Sequence, residues 1–380
     1  TRNAFALKQY KSNHREAEDD VATLEHIPDL LLDLESAEST NAERPTRALR
    51  LLFALSEHAN NGDGNIIGGG EYHQNRIQML LQPEEQRSLV PVLLMFLERC
   101  GTGSQEQHMT LLVLNNISIP LENKRAIALD HGGAKVLAKL LCEDPSCHLL
   151  AIVLVNLSFS DMNLRRQLLN SGDSETSSIA LVESLAFALR VASLTKEEYH
   201  ARIATIEECC SNTNDEHTAA DRLSILMAED QRLRQEKQQQ RHHSKILPMI
   251  SSSLQLYPET TRWCLSALRN LTRPCKNANA AHVLIQSSAY ALILQFISIV
   301  DQHGSFVNEP HTWDSDSLQD TALSIVMNLS ACSFSREYMN EAQTIKVLST
   351  ITNYPESAGL MDHLDDAQRN QMKLQCLKAT

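Results

Sequence analysis

The sequence has few of the residues that build sheets and tight turns. Aromatic residues make up 4% of its 380 positions, and there are only 12 glycines and 11 prolines. So few turn formers and aromatics, set against abundant Leu, Ala and Ile, favour an all-α chain over a sheet protein. Basic residues are outnumbered: 34 Lys and Arg against 47 Asp and Glu leave a net charge of −13. Such a chain is repelled by phosphate backbones and anionic lipid surfaces, which argues against general nucleic-acid or membrane binding. No apolar run approaches the roughly 18 residues that a membrane-spanning helix needs. The nine cysteines have no regular spacing, and Cys142, Cys264, Cys332 and Cys376 sit within apolar helical patterns. Free buried thiols in an intracellular, cytoplasmic or nuclear setting fit this better than a disulfide framework. The chain opens on Thr-Arg-Asn and stops at QMKLQCLKAT, midway through an amphipathic pattern, so it reads as part of a longer protein.

Against this sparse background one short motif recurs: LNNIS at 114–118, LVNLS at 154–158, LRNLT at 268–272 and VMNLS at 326–330. Asn116 and Asn156 are 40 residues apart, and the segments around them align. GSQEQHMTLLVLNNIS, ENKRAIALDHGG and AKVLAKLLCEDP are followed by SCHLLAIVLVNLS, DMNLRRQLLNSG and SIALVESLAFALR. Each cycle predicts a helix ending in the Asn motif, a shorter helix and a further apolar helix, with apolar residues at three- and four-residue steps. Pro120 and Pro274 follow the motif closely, where a helix has to stop. Gly132–Gly133 supplies a corner between the next two helices.

The same frame covers 260–300 and 317–352. An earlier copy, RPTRALRLLFALS, has Ala54 in place of Asn, and a degenerate copy is expected through EEYHARIATIEECC at 197–210. The expected organisation is a helical lead-in over 1–43, about six units over 44–357 with inserts near 59–74 and 211–245, and a linker with a truncated further unit over 358–380.

The A-x-x-x-L-x-N-L-S helix ends and the GGAKVLAKLL segment resemble the armadillo repeat family. HEAT repeats, with two helices and no Asn-Leu-Ser/Thr ending, are the nearest rival. The resemblance implies a right-handed superhelical solenoid of three-helix repeats, with the Asn-bearing helices lining a concave groove. In such a groove the asparagine can bridge neighbouring repeats or bond an extended peptide, since an amide both donates and accepts.

All four motifs are also Asn-x-Ser/Thr glycosylation triplets. A glycan at the end of an apolar helix would be buried, whereas acceptor sites need exposed loops, so repeat scaffolding is the reading. Positions four and eight before each Asn share its helical face. Importin-like armadillo proteins place Trp at the first of these to grip basic peptides. Here the residues are Arg50, Leu112, Ile152, Ser266 and Ser324, so that cargo specificity is not implied. The second column is Thr46, His108, His148, Arg262 and Asp320, a mixed set that suits either plain solvation or peptide contact.

The candidate partner-binding residues are Asn116, Asn156, Asn270, Asn328, His108, His148 and the group Arg262, Trp263, Arg269 and Arg273. Trp and Arg often dominate interfaces. Trp263 suits a core position equally well. Leu223, Leu226 and Leu233 form a thin apolar seam in the 211–245 insert, which suits either a partner-gripping helix or a solvated one. Cys209–Cys210 with His217, and His242–His243, lack the paired spacing that zinc requires, so no metal site or cofactor is expected. GDGNIIGGG at 62–70 has no Gly-Lys-Ser/Thr and interrupts a helical unit, so it reads as a loop insertion. No catalytic grouping stands out. The sequence points to a non-catalytic scaffold for protein partners. The alternatives are a regulatory domain whose groove is filled by its own 211–245 segment, or a cofactor of heat-shock chaperones.

Overall fold

A computed structural model describes residues 24–35, 43–57, 76–80, 88–170, 177–201, 204, 255–273, 284, 288–297, 318–331 and 339. The inserts at 59–74 and 211–245 and the segment 358–380 lie outside these residues. The described residues are helical, with no β-strand and a single isolated bridge among them. The chain forms two compact units, one ending at Val136 and the other starting at Leu137.

In the first unit, α1 (Ile27–Glu35) buries Ile27, Leu30, Leu31 and Leu34, a helical three-and-four spacing that makes one apolar stripe. That stripe packs against α2 (Glu43–Ser56) and α3 (Leu89–Arg99). α4 (Gln105–Ile117) packs in turn on α2 and α3. Ser104 starts α4 by accepting the Gln107 N–H at 3.1 Å, and Gln107 reaches back to accept from the Gly103 N–H at 2.7 Å. The first bond satisfies an N–H group that the first helical turn leaves open, and the second ties down the residue just before the cap.

After Pro120 comes the short α5 (Leu121–Arg125), and a π-helical turn over Ala126–Asp130 follows. The corner expected at the two glycines is present, and each has its own reason. Gly132 lies at φ +68°, in the left-handed region that side chains resist. Gly133 has room for hydrogen only, because a Cβ there would meet the Ile127 carbonyl oxygen at 2.5 Å. α6 (Gly133–Glu143) then leads the chain into the second unit.

The second unit contains α7 (His148–Ser158), α8 (Met162–Asn170), α9 (Ser177–Ala192), α10 (Pro258–Thr272), α11 (Ser288–Ile297) and α12 (Leu318–Ser330). α10 lies at its centre, packed against α7, α9 and α12, while α11 bridges α9 and α12. Cys264, Leu265, Ala267 and Leu268 of α10 have no exposure at all.

The copy expected at 197–210 falls in sequence between α7 and α10. Most of that segment lies outside the described residues, but the helices meant to flank it, α7 and α10, pack directly on each other. The chain between them leaves and returns at one place. Thr195 and Gln255 form an antiparallel bridge, with Leu256 N–H bonded to the Leu194 carbonyl at 2.8 Å and Tyr257 N–H to the Ala192 carbonyl at 3.0 Å. Five copies of the motif helix are described: α2, α4, α7, α10 and α12.

Candidate peptide-binding face

The recurring asparagine has a structural task. Asn116 Nδ2 donates to Ser56 Oγ at 3.1 Å, from α4 to the end of α2. Asn270 Nδ2 donates to Ser158 Oγ at 3.4 Å and to the Val155 carbonyl at 3.4 Å, from α10 to the end of α7. Asn328 Nδ2 donates to Thr272 Oγ1 at 3.4 Å and to the Arg269 carbonyl at 3.2 Å, from α12 to the end of α10. In each case the amide reaches the hydroxyl two positions beyond the Asn site of the helix it stacks on.

The hydroxyl is spoken for as well. Ser56 donates to the Phe53 carbonyl at 2.9 Å, Ser158 to the Val155 carbonyl at 2.9 Å and Thr272 to the Leu268 carbonyl at 2.9 Å. Ser118 and Ser330 do the same, to the Asn115 and Met327 carbonyls, both at 2.8 Å. Each hydroxyl gives its proton to a carbonyl in the last turn of its own helix, and where the amide stacks on it, it accepts the neighbour's N–H. Both polar residues of the triplet are thereby explained without a sugar. Ala54 occupies the Asn site of α2 and is exposed.

Thr46 Oγ1 donates to Glu106 Oε1 at 3.1 Å, so α2 and α4 are tied near both ends. Arg76, 1% exposed, emerges from beyond the 59–74 insert and donates from Nε to the Ser56 carbonyl at 2.7 Å. A cation at a helix C-terminus complements the helix dipole, while burial lowers the pKa of this guanidinium from its usual value. Asn123 Nδ2 holds the same turn through the Arg76 carbonyl at 2.7 Å and the Ile117 carbonyl at 2.9 Å. Arg76 follows a Gly- and Asn-rich stretch, and nothing in its local sequence marked it as a buried cap.

The candidate residues are distributed unevenly. Asn270 is 2% exposed, whereas Asn116, Asn156 and Asn328 are half-buried. Asn270 Oδ1 is buried and accepts no hydrogen bond. His108 is exposed on α4, and His148 is half-buried in the first turn of α7. The α10 group does not form one cluster. Arg262 places its guanidinium 5.3 Å from the centre of the half-buried Trp263 ring, near the helix start. Arg273 lies beyond the helix end, about 16 Å further on at the helical rise per residue, 5.1 Å from the Phe159 ring centre. Arg165 of α8 joins that far end, its Nη1 donating to the Asn270 carbonyl at 3.3 Å. Sequence reasoning overlooked Phe159 and Arg165, because only stacking brings them beside α10.

The two columns that share the asparagine face are not swallowed by the core. Ile152, Ser266 and Ser324 are half-buried, as are His148, Arg262 and Asp320. Within the second unit these six residues sit on α7, α10 and α12, helices packed side by side. The four described thiols are not activated as nucleophiles. Burial pushes Cys100, Cys142 and Cys147 up to about 11, and raises Cys264 further, so all four stay protonated near neutrality. Among the described residues no group of His, Cys, Asp and Glu is arranged to hold a metal ion, and no helix is long and apolar enough to cross a membrane. The cysteine and histidine pairs at 209–217 and 242–243 lie outside the described residues.

No protein-family model and no curated protein matches the sequence. Solved structures do. A designed armadillo repeat protein in complex with the peptide (KR)4 superposes with a TM-score of 0.51 at 12% identity, covering 93% of this chain and 98% of that one. A computationally designed armadillo repeat protein for modular peptide recognition gives 0.50, again at 12% identity with 93% and 98% covered. The fold is that of armadillo repeats. At this identity the likeness concerns the fold, and the armadillo subfamily stays unassigned.

Proposed function

We propose that this chain is a non-catalytic, intracellular armadillo scaffold that binds protein segments, extended or helical, along the face of its asparagine-bearing helices. The observation behind this reading is the packing of α7, α10 and α12 side by side. It leaves His148, Ile152, Arg262, Ser266, Asp320 and Ser324 half-buried at regular intervals. Such a surface offers donors, acceptors and apolar area in register, the kind of array an extended chain can follow. The peptide-binding designed armadillo proteins lend support through their shared fold.

On this reading the asparagines contribute chiefly by holding neighbouring helices in register, since their N–H groups are engaged between repeats. The groove needs neither metal nor cofactor, and its mixed character does not favour nucleic acid. The test is to select peptides from a random displayed library against this chain and measure their affinity for the Arg262→Glu, Arg269→Glu double variant. Binding should fall by about tenfold or more while helicity and Tm stay nearly unchanged, as expected for central interface arginines. Unchanged affinity would move the contact surface away from α10.

A further inference from the structure

Three residues after each asparagine site the chain leaves its helix, and that position faces outward. Ile119 is 43% exposed and Phe159 56%, and Arg273 and Ala331 are also exposed. Stacking α10 on α7 sets two of these positions together, with the Arg273 guanidinium over the Phe159 ring. Phe159 is the only exposed aromatic residue among those described. Met162, 43% exposed, follows in the first turn of α8, and Arg166 lies one turn further along the same helix.

Single exposed apolar residues are ordinary, and so are solvated arginines. The combination here is different in three respects. First, the Arg273 guanidinium lies 5.1 Å from the Phe159 ring centre, a cation–π contact that uses none of its N–H groups, and those N–H groups make no hydrogen bond among the described residues, so they stay available to a planar acceptor. Second, no carboxylate answers these charges: among the described residues Arg165, Arg166 and Arg273 form no ion pair, and Arg165 is bonded to a backbone carbonyl. Third, the acid within this stretch, Asp161, is engaged in capping α8 through the Leu164 N–H at 2.8 Å. The result is a local basic and apolar patch on a chain whose net charge is −13.

We propose that this edge, centred on Phe159 and Arg273, is a second docking surface that takes an acidic peptide segment. A carboxylate of the segment pairs with the in-plane N–H groups of Arg273, and an adjacent apolar side chain covers Phe159 and Met162. The proposal rests on the peptide-binding reading above but uses a different face, the end of the motif helices instead of their sides. A carboxylate suits the site because it matches the guanidinium fork bidentately and is drawn to a local cation excess. The overall acidity of the chain disfavours an anionic membrane or a nucleic acid as the occupant.

The selected library peptides decide the matter when measured against Arg273→Glu, Arg273→Lys and Phe159→Ala, with circular dichroism confirming that these exposed substitutions leave the fold intact. A class of peptides should emerge in which Asp or Glu neighbours a bulky apolar residue. Its affinity should fall by about tenfold or more in Arg273→Glu and in Phe159→Ala, and by less in Arg273→Lys. Peptides lacking acidic residues, or acidic peptides indifferent to all three changes, would overturn the proposal. If such peptides respond only to the Arg262→Glu, Arg269→Glu variant, the groove reading stands and the edge proposal fails. If no peptide is enriched, both fail. Binding of phosphatidylserine vesicles or oligothymidine that is lost in Arg273→Glu, with no acidic peptide selected, would also overturn it.

Discussion

At the scale of single residues, the Asn and the Ser or Thr of each motif are halves of one device. The amide belongs energetically to the repeat before it, and the hydroxyl to its own helix end. An internal hydrogen bond contributes about 1 kcal/mol net, but stripping a buried partner leaves the other group unsatisfied and costs more. Asn270→Ala should therefore destabilise the chain by about 2 kcal/mol, since Asn270 is almost fully buried and serves two acceptors. The half-buried Asn116, with a single amide bond shown, should lose about 1 kcal/mol on the same change. Ala54→Asn supplies the control. Its site is exposed, so the added amide should alter stability by no more than about 0.5 kcal/mol. Urea titrations of the three variants check the ranking, and equal losses at Asn270 and Ala54 would refute the ladder. The motif itself was plain in the sequence, as was its place at the ends of apolar helices. What stayed hidden was the direction of the bond, because a repeat spacing says which positions are equivalent and not which of them touch.

At the scale of elements, periodicity located the motif helices well, and the glycine corner fell where two adjacent glycines required it. The order of stacking was another matter. α7 and α10 meet across more than a hundred residues, as the 112-residue separation of Ser158 and Asn270 shows. Local pattern places a weak copy between them, mostly outside the described residues, and the Thr195–Gln255 bridge joins the chain on either side of it. The pairing depends on surfaces distant in sequence, for which helical periodicity carries no signal. The corner between the π-helical turn and α6 offers a sharper test. Gly132→Ala forces a side chain into the left-handed region at a cost of about 1 kcal/mol, with open space around it. Gly133→Ala instead drives a methyl group against the backbone oxygen of Ile127, which no side-chain rotation relieves. Thermal melts should show Gly133→Ala to be the more damaging of the two, and Gly132→Asn milder than Gly132→Ala, because Asn tolerates the left-handed conformation better. A greater loss at Gly132 would mean that the connection yields more readily than its geometry indicates.

At the scale of the whole molecule, each unit buries apolar faces that its helices could not bury alone, and its surface chemistry follows from that stacking. The columns sharing the asparagine face were legible because they are set by helical period. The Phe159 edge was not, because an aromatic in an apolar stretch reads as core until the helix end that exposes it is known. The ladder also has a consequence for where such a chain can be made. Asn-linked glycans are attached to nascent polypeptide, before helices have formed and packed. Delivered into a secretory compartment, this chain would present its four triplets as open acceptors. A sugar on the Asn nitrogen would remove the N–H geometry on which the stack depends and introduce bulk where helices must meet. Fusion to a secretory leader should therefore yield glycosylated, poorly folded product, and replacing Ser118, Ser158, Thr272 and Ser330 by Ala should abolish the modification while weakening the helix ends. A well-folded secreted chain carrying glycans at all four sites would contradict this. The bond that registers one repeat on the next would thus be open to modification along a secretory route, through the same three letters that elsewhere accept a sugar.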